Sequence, residues 1–129
     1  MRERGEGMAF EKEMQLLVDA ERERKALGPV SDLVSGGLSL DDAHRICERN
    51  IEKRIQAGQK LAGFKIGFTN LAVREKMGLP DSTYGYLMDT MLLKNGVKLS
   101  LSELIAPKIE CEICFKLKQP LKGKGLGAE

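Results

Sequence analysis

The sequence predicts an α+β fold in which a small helical region comes first and β-strands follow. Two observations predict this fold class. Up to Gly58, apolar residues recur at three- and four-residue spacing, which is the period of amphipathic helices. After Gly58 the apolar residues alternate with other residues, which is the period of half-buried strands.

The first predicted helix runs from Phe10 towards Leu27. Its apolar stripe lies at helical spacing: Phe10, Met14, Leu17 and Val18. Gly28 and Pro29 follow this stripe, and both residue types are typical of helix ends.

The second predicted helix begins at Ser39, an N-cap residue with Asp42 three positions later, as in an acidic variant of the capping box. Its apolar face is predicted from residues at four-residue spacing: Ala43, Cys47, Ile51 and Ile55. Gly58 is a fitting C-terminal stop.

The first predicted strand covers Leu61–Phe68, where Phe64, Ile66 and Phe68 share one face. Its other face carries two glycines and a lysine: Gly63, Lys65 and Gly67. A short helix is then predicted, capped by Thr69 or Asn70 and ending at Met77. Three features follow downstream: a strand at Tyr84–Met88, a tight turn at Asn95-Gly96 and a strand at Val97–Leu99.

The clearest strand pattern is Lys108–Leu117, close to the end of the 129 residues. Strands need neighbours, and few residues follow this one to supply them. We therefore expect a fragment, or one half of a larger fold, that is poorly stable alone.

Composition excludes several classes of partner. The chain is 42% hydrophobic and 31% charged, with 21 basic and 19 acidic residues and a net charge of +2, so no basic block indicates nucleic-acid binding. Met1–Gly7 has no apolar core of a secretory signal, and no run approaches the roughly 18 apolar residues that span a membrane. Three cysteines without an export signal favour reduced thiols and a cytoplasmic location.

Two carboxylates are candidates for metal binding. Residues two apart on a strand share a face, so Glu110 and Glu112 would lie side by side within Lys108–Leu117. A hard divalent cation such as Mg²⁺ or Mn²⁺ takes oxygen ligands of this kind and relieves their repulsion. The alternative from spacing alone is a solvated strand face on which Lys108 and Lys116 screen the two charges.

Lys65 is the candidate for proton transfer. Its glycine neighbours leave room for another group to approach the ammonium closely. When it is buried near a metal, such a lysine has its pKa lowered towards about 7 to 8 and can exchange a proton. The alternative is a solvated lysine on a polar strand face.

Three other features are weaker candidates for a functional site. Cys111 and Cys114 are three residues apart, so on a strand they face opposite sides and do not predict zinc or redox chemistry. His44, the one histidine, is predicted to be a surface residue of a charged helix. Gly123–Gly127 lacks the residues of a phosphate loop and is predicted to be a turn or a flexible end.

Three ordered motifs resemble one enzyme family, the 2-keto-4-pentenoate hydratases and 4-oxalocrotonate decarboxylases of the fumarylacetoacetate hydrolase superfamily. The resemblance covers roughly residues 39–125. The motifs are Gly63-Phe64-Lys65-Ile66-Gly67-Phe68-Thr69-Asn70, then Tyr84-Gly85-Tyr86-Leu87, then Pro107-Lys108-Ile109-Glu110-Cys111-Glu112-Ile113-Cys114-Phe115.

The resemblance implies a helical region at residues 1–58 and the start of a mixed, catalytic β-roll at residues 59–129. It also implies Mg²⁺ or Mn²⁺ held by three acidic side chains, of which Glu110 and Glu112 match two and the third lies beyond Glu129. Lys65 matches the active-site lysine of the family. Relatives often carry an acid where this chain has Thr83, so the resemblance assigns no catalytic role there.

The implied activity is a metal-dependent hydratase that adds water to a 2-hydroxy-2,4-dienoate in the breakdown of aromatic compounds by meta-cleavage. The alternative within the family is 4-oxalocrotonate decarboxylase. The implied partners are a small 2-oxo or 2-hydroxydienoic acid and other subunits, as a homo-oligomer or a complex of hydratase with decarboxylase. A different class of hypothesis is a non-catalytic truncated chain or interaction module, and we expect residues 1–129 alone to be inactive.

Overall fold

A computed structural model describes residues 10–125 and residue 127. These residues form three α-helices: α1 at Glu11–Glu23, α2 at Leu40–Gln56 and α3 at Leu71–Met77. They also form two strands, β1 at Leu61–Gly67 and β2 at Thr83–Met88, which pair in one antiparallel sheet. Three short 3-10 turns complete the described part: Val30–Leu33, Asp89–Met91 and Leu101–Glu103. The α+β class is therefore confirmed.

Helix α1 ends earlier than predicted. Arg24 takes the left-handed conformation, with φ of 56°, directly after Glu23. The backbone N–H of Lys25 then donates to the carbonyl oxygen of Ala20 at 2.9 Å, which closes the last turn. The predicted end near Leu27 was wrong because this local cap forms before the Gly-Pro signal is reached.

Helix α2 begins as predicted. The backbone N–H of Asp42 donates to the Ser39 hydroxyl at 3.1 Å, and that hydroxyl donates to the Asp42 carboxylate at 2.7 Å. Gly58, with φ of 97°, follows the helix end. The buried residue of α2 is Ile46, whereas Ile55 on the predicted apolar face is largely exposed.

Helices α1 and α2 pack against each other around a small core. Three apolar side chains are buried among the described residues: Met14 on α1, Ile46 on α2 and Met88 on β2. The pairing of the helices also uses polar contacts, because Asn50 Nδ2 donates to the Met14 carbonyl oxygen at 3.4 Å and Lys53 Nζ lies 3.2 Å from Glu11 Oε2. Arg54 and Glu21 form a further ion pair.

Strands β1 and β2 are joined by α3 rather than by a tight turn. Asn70 caps α3, since its side-chain oxygen accepts from the Val73 N–H at 3.2 Å, as the sequence predicts. The Arg74 guanidinium then donates to the Phe68 carbonyl oxygen at 3.1 Å and to the Ser82 hydroxyl at 2.9 Å. Arg74 therefore connects the end of β1 with the chain that enters β2.

Two predicted strands are absent from the described residues. The turn at Asn95-Gly96 forms, with the Val97 N–H donating to Lys94 at 3.2 Å, but Val97–Leu99 pairs with no strand. Lys108–Leu117 is likewise unpaired. The prediction of these strands was wrong because the two strands of the described part pair only with each other, and a strand forms only beside a neighbour.

The apolar side chains of this unpaired segment are uncovered, with exposed fractions of 98% for Ile109, 84% for Ile113 and 83% for Phe115. Within the residues described, no helix has the length and apolar character that crossing a membrane requires.

We expect Arg74→Met to lower the free energy of unfolding by about 1–2 kcal/mol, because it removes charge-assisted hydrogen bonds that hold the β1–α3–β2 connection. Lys76→Met, an exposed position on the same helix, is the matched control and should change it little. Denaturant unfolding of the three proteins measures the effect. Equal stability of the Arg74 and Lys76 variants would contradict this role of Arg74.

Candidate functional site

Lys65 lies in the middle of β1, on a face of the sheet that carries few side chains. Gly85 of β2 is its cross-strand partner, and Gly63 and Gly67 are its neighbours two positions away on β1. The lysine side chain is 47% exposed. The ammonium therefore extends from a face on which three glycines surround it and on which Thr83 and Leu87 are the cross-strand partners of Gly67 and Gly63.

Both predicted metal-binding carboxylates meet this lysine. Lys65 Nζ lies 3.0 Å from Glu110 Oε2 and 2.9 Å from Glu112 Oε1. The three candidate residues, which are up to 47 positions apart in the chain, thus form one charged cluster. We call Lys65, Glu110 and Glu112 the carboxylate–lysine cluster.

The cluster is also what attaches the unpaired segment to the sheet. Within the described part of residues 108–125, the hydrogen bonds and ion pairs to the rest of the chain are those of Glu110 and Glu112 with Lys65. Glu110 and Glu112 reach the same ammonium, so they project to the same side although their segment is not in a sheet.

The protonation of Lys65 differs from the expectation for a buried lysine. Hydrogen bonds to Glu112 and then Glu110 raise the pKa of the Lys65 ammonium above its ordinary value. The expected lowering of this pKa requires burial or a neighbouring cation, whereas Lys65 is half exposed and faces two anions. In the described structure Lys65 is therefore protonated and positively charged.

The donor set suits a hard divalent cation in part. Two carboxylate oxygens, Glu110 Oε2 and Glu112 Oε1, converge on one positive group at 3.0 and 2.9 Å, and Mg²⁺ and Mn²⁺ prefer such oxygens. No group of three or more metal-binding side chains occurs in the described part of the chain. The cluster fits a metal as two of its ligands.

Other candidates lie outside the cluster or at its edge. Cys111 and Cys114 are both exposed thiols. Thr83 lies on the Lys65 face of the sheet, because it pairs with Gly67 across the strands. A Cβ added at Gly67 would lie 3.2 Å from Thr83 Oγ1, so the Thr83 hydroxyl would contact any side chain at position 67.

The opposite face of the sheet carries an aromatic cluster that sequence reasoning missed. The His44 ring of α2 stacks on Tyr84, with ring centroids 4.9 Å apart, so His44 is not the plain surface residue that was predicted. Phe64 and Tyr86 complete the cluster, with centroids 5.4 Å apart. The Tyr86 hydroxyl donates to Glu48 Oε1 at 3.3 Å. The two tyrosines flanking Gly85 were a visible signal, but their partners on α2 are some 40 residues away.

Comparison with known proteins identifies relatives of the chain. No family model matches it. The TodF product hydratase of Pseudomonas putida is 36% identical over 118 residues, which are 92% of this chain and 44% of that protein. A 2-hydroxypent-2,4-dienoate hydratase of Pseudomonas putida is 41% identical over 100 residues, 75% of this chain and 45% of that protein. A 4-oxalocrotonate decarboxylase of a Pseudomonas species is 38% identical over 89 residues, 68% of this chain and 33% of that protein.

The chain belongs to the family of 2-keto-4-pentenoate hydratases and 4-oxalocrotonate decarboxylases. This confirms the resemblance that the three motifs predicted. The chain spans less than half the length of the curated relatives it matches, as expected for an amino-terminal part of a family member. The roles of Lys65, Glu110 and Glu112 in this family member stay predictions.

The aromatic cluster of this family member gives a pH-dependent prediction. Partial burial, a hydrogen bond with Tyr84 and the nearby charge of Glu48 raise the pKa of Tyr86 from 10 to about 12. Because the folded-state pKa is the higher one, the stability that this contributes is fully present below about pH 10 and is lost as the pH rises through 12.

We expect ultraviolet titration of the folded protein to show a late ionisation step well above pH 10, because the pKa of Tyr86 is raised to about 12. Tyr86→Phe should remove the later step, and Tyr84→Phe is the matched control that should retain a raised, though smaller, shift. Ionisation of Tyr86 near pH 10 in the folded protein would contradict this environment of the phenol.

Proposed function

We propose that the chain supplies the Lys65 and carboxylate part of a Mg²⁺- or Mn²⁺-dependent hydro-lyase that adds water to a 2-hydroxy-2,4-dienoate. The observation that carries the proposal is the carboxylate–lysine cluster, in which one proton-carrying group and two metal-type oxygens lie within 3.0 Å. Relatives named as hydratases of 2-hydroxypent-2,4-dienoate and 2-hydroxyhexa-2,4-dienoate support this substrate class.

In the proposed mechanism Glu110 and Glu112 would hold a divalent metal, which would act as a Lewis acid towards the oxygens of the substrate. Displaced from its two carboxylates, the Lys65 ammonium is a proton donor beside the substrate. The substrate first becomes a ketone: the 2-hydroxyl loses its proton, and the far carbon of the diene gains one through Lys65. Water then adds across the remaining carbon–carbon double bond: its hydroxyl group goes to one carbon and its other hydrogen to the neighbouring carbon, so the product contains the whole of the water molecule.

The same proposal includes the finer features of the family resemblance. The sheet of β1 and β2 is then the start of a mixed β-roll, whose further strands cover the apolar side of Lys108–Leu117. The third acidic metal ligand lies elsewhere in that roll. The complete protein is cytoplasmic and works as a homo-oligomer or in a complex of hydratase with decarboxylase.

Decarboxylation of 4-oxalocrotonate is the second candidate activity. Two 4-oxalocrotonate decarboxylases are 38% and 35% identical to the chain over 89 and 88 residues, so the hydratases are not its only curated relatives. The two reactions share a 2-oxygen next to a carboxylate and a proton transfer to carbon. Product analysis distinguishes them, because carbon dioxide is released in one and water is consumed in the other.

We expect Glu110→Gln and Glu112→Gln each to weaken Mg²⁺ and Mn²⁺ binding by about tenfold or more, because a neutral amide replaces one of few anionic ligands. Calorimetric titration of the complete protein, or of this chain complemented by its missing half, measures this affinity. Glu103→Gln, in a turn outside the cluster, is the matched control and should bind as the unchanged protein does. Unchanged affinity in both cluster variants would remove the metal assignment.

We expect Lys65→Met to keep the metal, since both carboxylates are unchanged and the further strands of the proposed roll hold their segment, but to lower turnover of a 2-hydroxydienoate by at least a hundredfold. Steady-state kinetics of the complete protein measures this loss. Lys116→Met removes an exposed lysine from the segment that carries Glu110 and Glu112, and it should leave turnover near normal. Near-normal turnover of the Lys65 variant would mean that Lys65 is only a solvated lysine.

A further inference from the structure

Three glycines surround Lys65 on one face of the sheet. Gly63 and Gly67 flank it on β1, and Gly85 lies directly across from it on β2. Successive residues of a strand face opposite sides, so all three belong to the face from which Lys65 projects. Leu87 and Thr83, the cross-strand partners of Gly63 and Gly67, lie on the same face. We call Gly63, Gly67 and Gly85 the glycine floor.

The backbone does not require glycine at these positions. Their φ values lie outside the left-handed region that favours glycine, unlike those of Gly58 and Gly78 at the helix ends. Among residues 10–125 and 127, no atom would lie within 4 Å of a Cβ added at Gly63 or Gly85. Glycine inside a strand also weakens the strand, and it often marks a place where a ligand or another backbone approaches closely.

The groups above the floor are charged. The Lys65 ammonium, Glu110 and Glu112 are held together on this side, whereas the aromatic rings of Phe64, Tyr84 and Tyr86 lie on the other face. An apolar layer stacked on the floor would bury these charges at a large cost. Leu87, which pairs with Gly63, is an apolar side chain at the edge of the floor. The occupant therefore has a polar end beside the cluster and a flat apolar remainder that touches the glycine backbone and Leu87.

We propose that the glycine floor is the substrate platform, on which the conjugated chain of the 2-hydroxydienoate lies flat. This inference rests on the proposed function and deepens it. The carboxylate and 2-oxygen of the substrate point to the cluster, and the planar diene lies against the backbone of Gly63 and Gly85. The absence of side chains selects flat acids, because a methyl group in the floor lifts a rigid planar ligand away from Lys65.

Gly67 has a second constraint and is a poor test position. A Cβ there would lie 3.2 Å from the Thr83 hydroxyl, so an alanine would disturb the packing of β1 on β2 as well as the floor. Gly63 and Gly85 have open space above them, so an alanine at either position fits the fold. These two positions separate substrate contact from folding.

The experiment uses the complete protein and compares Gly63→Ala and Gly85→Ala with the unchanged protein and with Gly28→Ala. Gly28 also has an ordinary φ and open space, but it lies before α2 and far from the cluster in the chain, so it is the matched control. Thermal unfolding and Mg²⁺ affinity are measured first, and all three variants should keep both. Alanine in a strand should leave the melting temperature unchanged or higher.

Binding of 2-hydroxypenta-2,4-dienoate in the presence of Mg²⁺ is then titrated by calorimetry, with the saturated acid 2-hydroxypentanoate as a flexible probe. In Gly63→Ala and Gly85→Ala we expect about tenfold or greater weakening for the dienoate and a smaller loss for the saturated acid, which bends away from the added methyl. Gly28→Ala should bind both acids normally.

If Gly63→Ala and Gly85→Ala bound the dienoate as the unchanged protein does, the proposed substrate platform would be wrong. It would also be wrong if the two variants differed from the unchanged protein only in oligomeric state, measured by size-exclusion chromatography. An equal loss for both acids would also overturn it, because flatness would then not matter. If the unchanged protein bound Mg²⁺ but no dienoate, the floor would fail while the metal site stood. If it bound no Mg²⁺, the proposed function would fail and the floor with it.

Discussion

The two ion pairs of Lys65 with Glu110 and Glu112 are the interaction on which the candidate site depends. They bring a segment without a strand partner onto the sheet, and they set two carboxylates around one cation. Exposed ion pairs stabilise a fold only slightly, because water screens them and long side chains lose freedom. The cluster therefore adds little to stability, and its proposed role is chemical, since it places a protonated amine beside two carboxylates.

The two faces of the sheet differ, and the carboxylate–lysine cluster lies on only one of them. One face is glycine around Lys65, and the other is aromatic and contacts α2 through His44 and through the hydrogen bond of Tyr86 to Glu48. Helix α2 thereby holds the sheet from behind without entering the site. Because α2 contacts only the aromatic face, the glycine face stays open to a ligand. A rigid sheet with one open face is the arrangement that a preorganised binding site needs.

Local rules predicted the parts of the structure that depend on neighbours in sequence. The caps at Ser39 and Asn70 follow from hydrogen bonds within three residues, and the alternation around Lys65 follows from strand geometry. The same alternation predicted that Glu110 and Glu112 share a side, but not that Lys108–Leu117 lacks a partner. Pairing of strands and the stacking of His44 on Tyr84 join distant residues, so no local pattern encodes them.

The uncovered apolar side of Lys108–Leu117 explains what the cluster needs in order to work. Ordering one residue of backbone costs about 1–2 kcal/mol, and two screened ion pairs cannot offset that cost along a ten-residue segment. Burial of a side chain such as Ile113 or Phe115 contributes about 1.5–3 kcal/mol, and both are more than four-fifths exposed. Since the curated relatives are more than twice as long as the part matched, covering of this side by further chain is the physical step that would fix Glu110 and Glu112 over Lys65. In the proposed β-roll, site geometry and fold completion would be one event, because apolar contacts on one side of the Lys108–Leu117 segment would hold the two carboxylates on its other side.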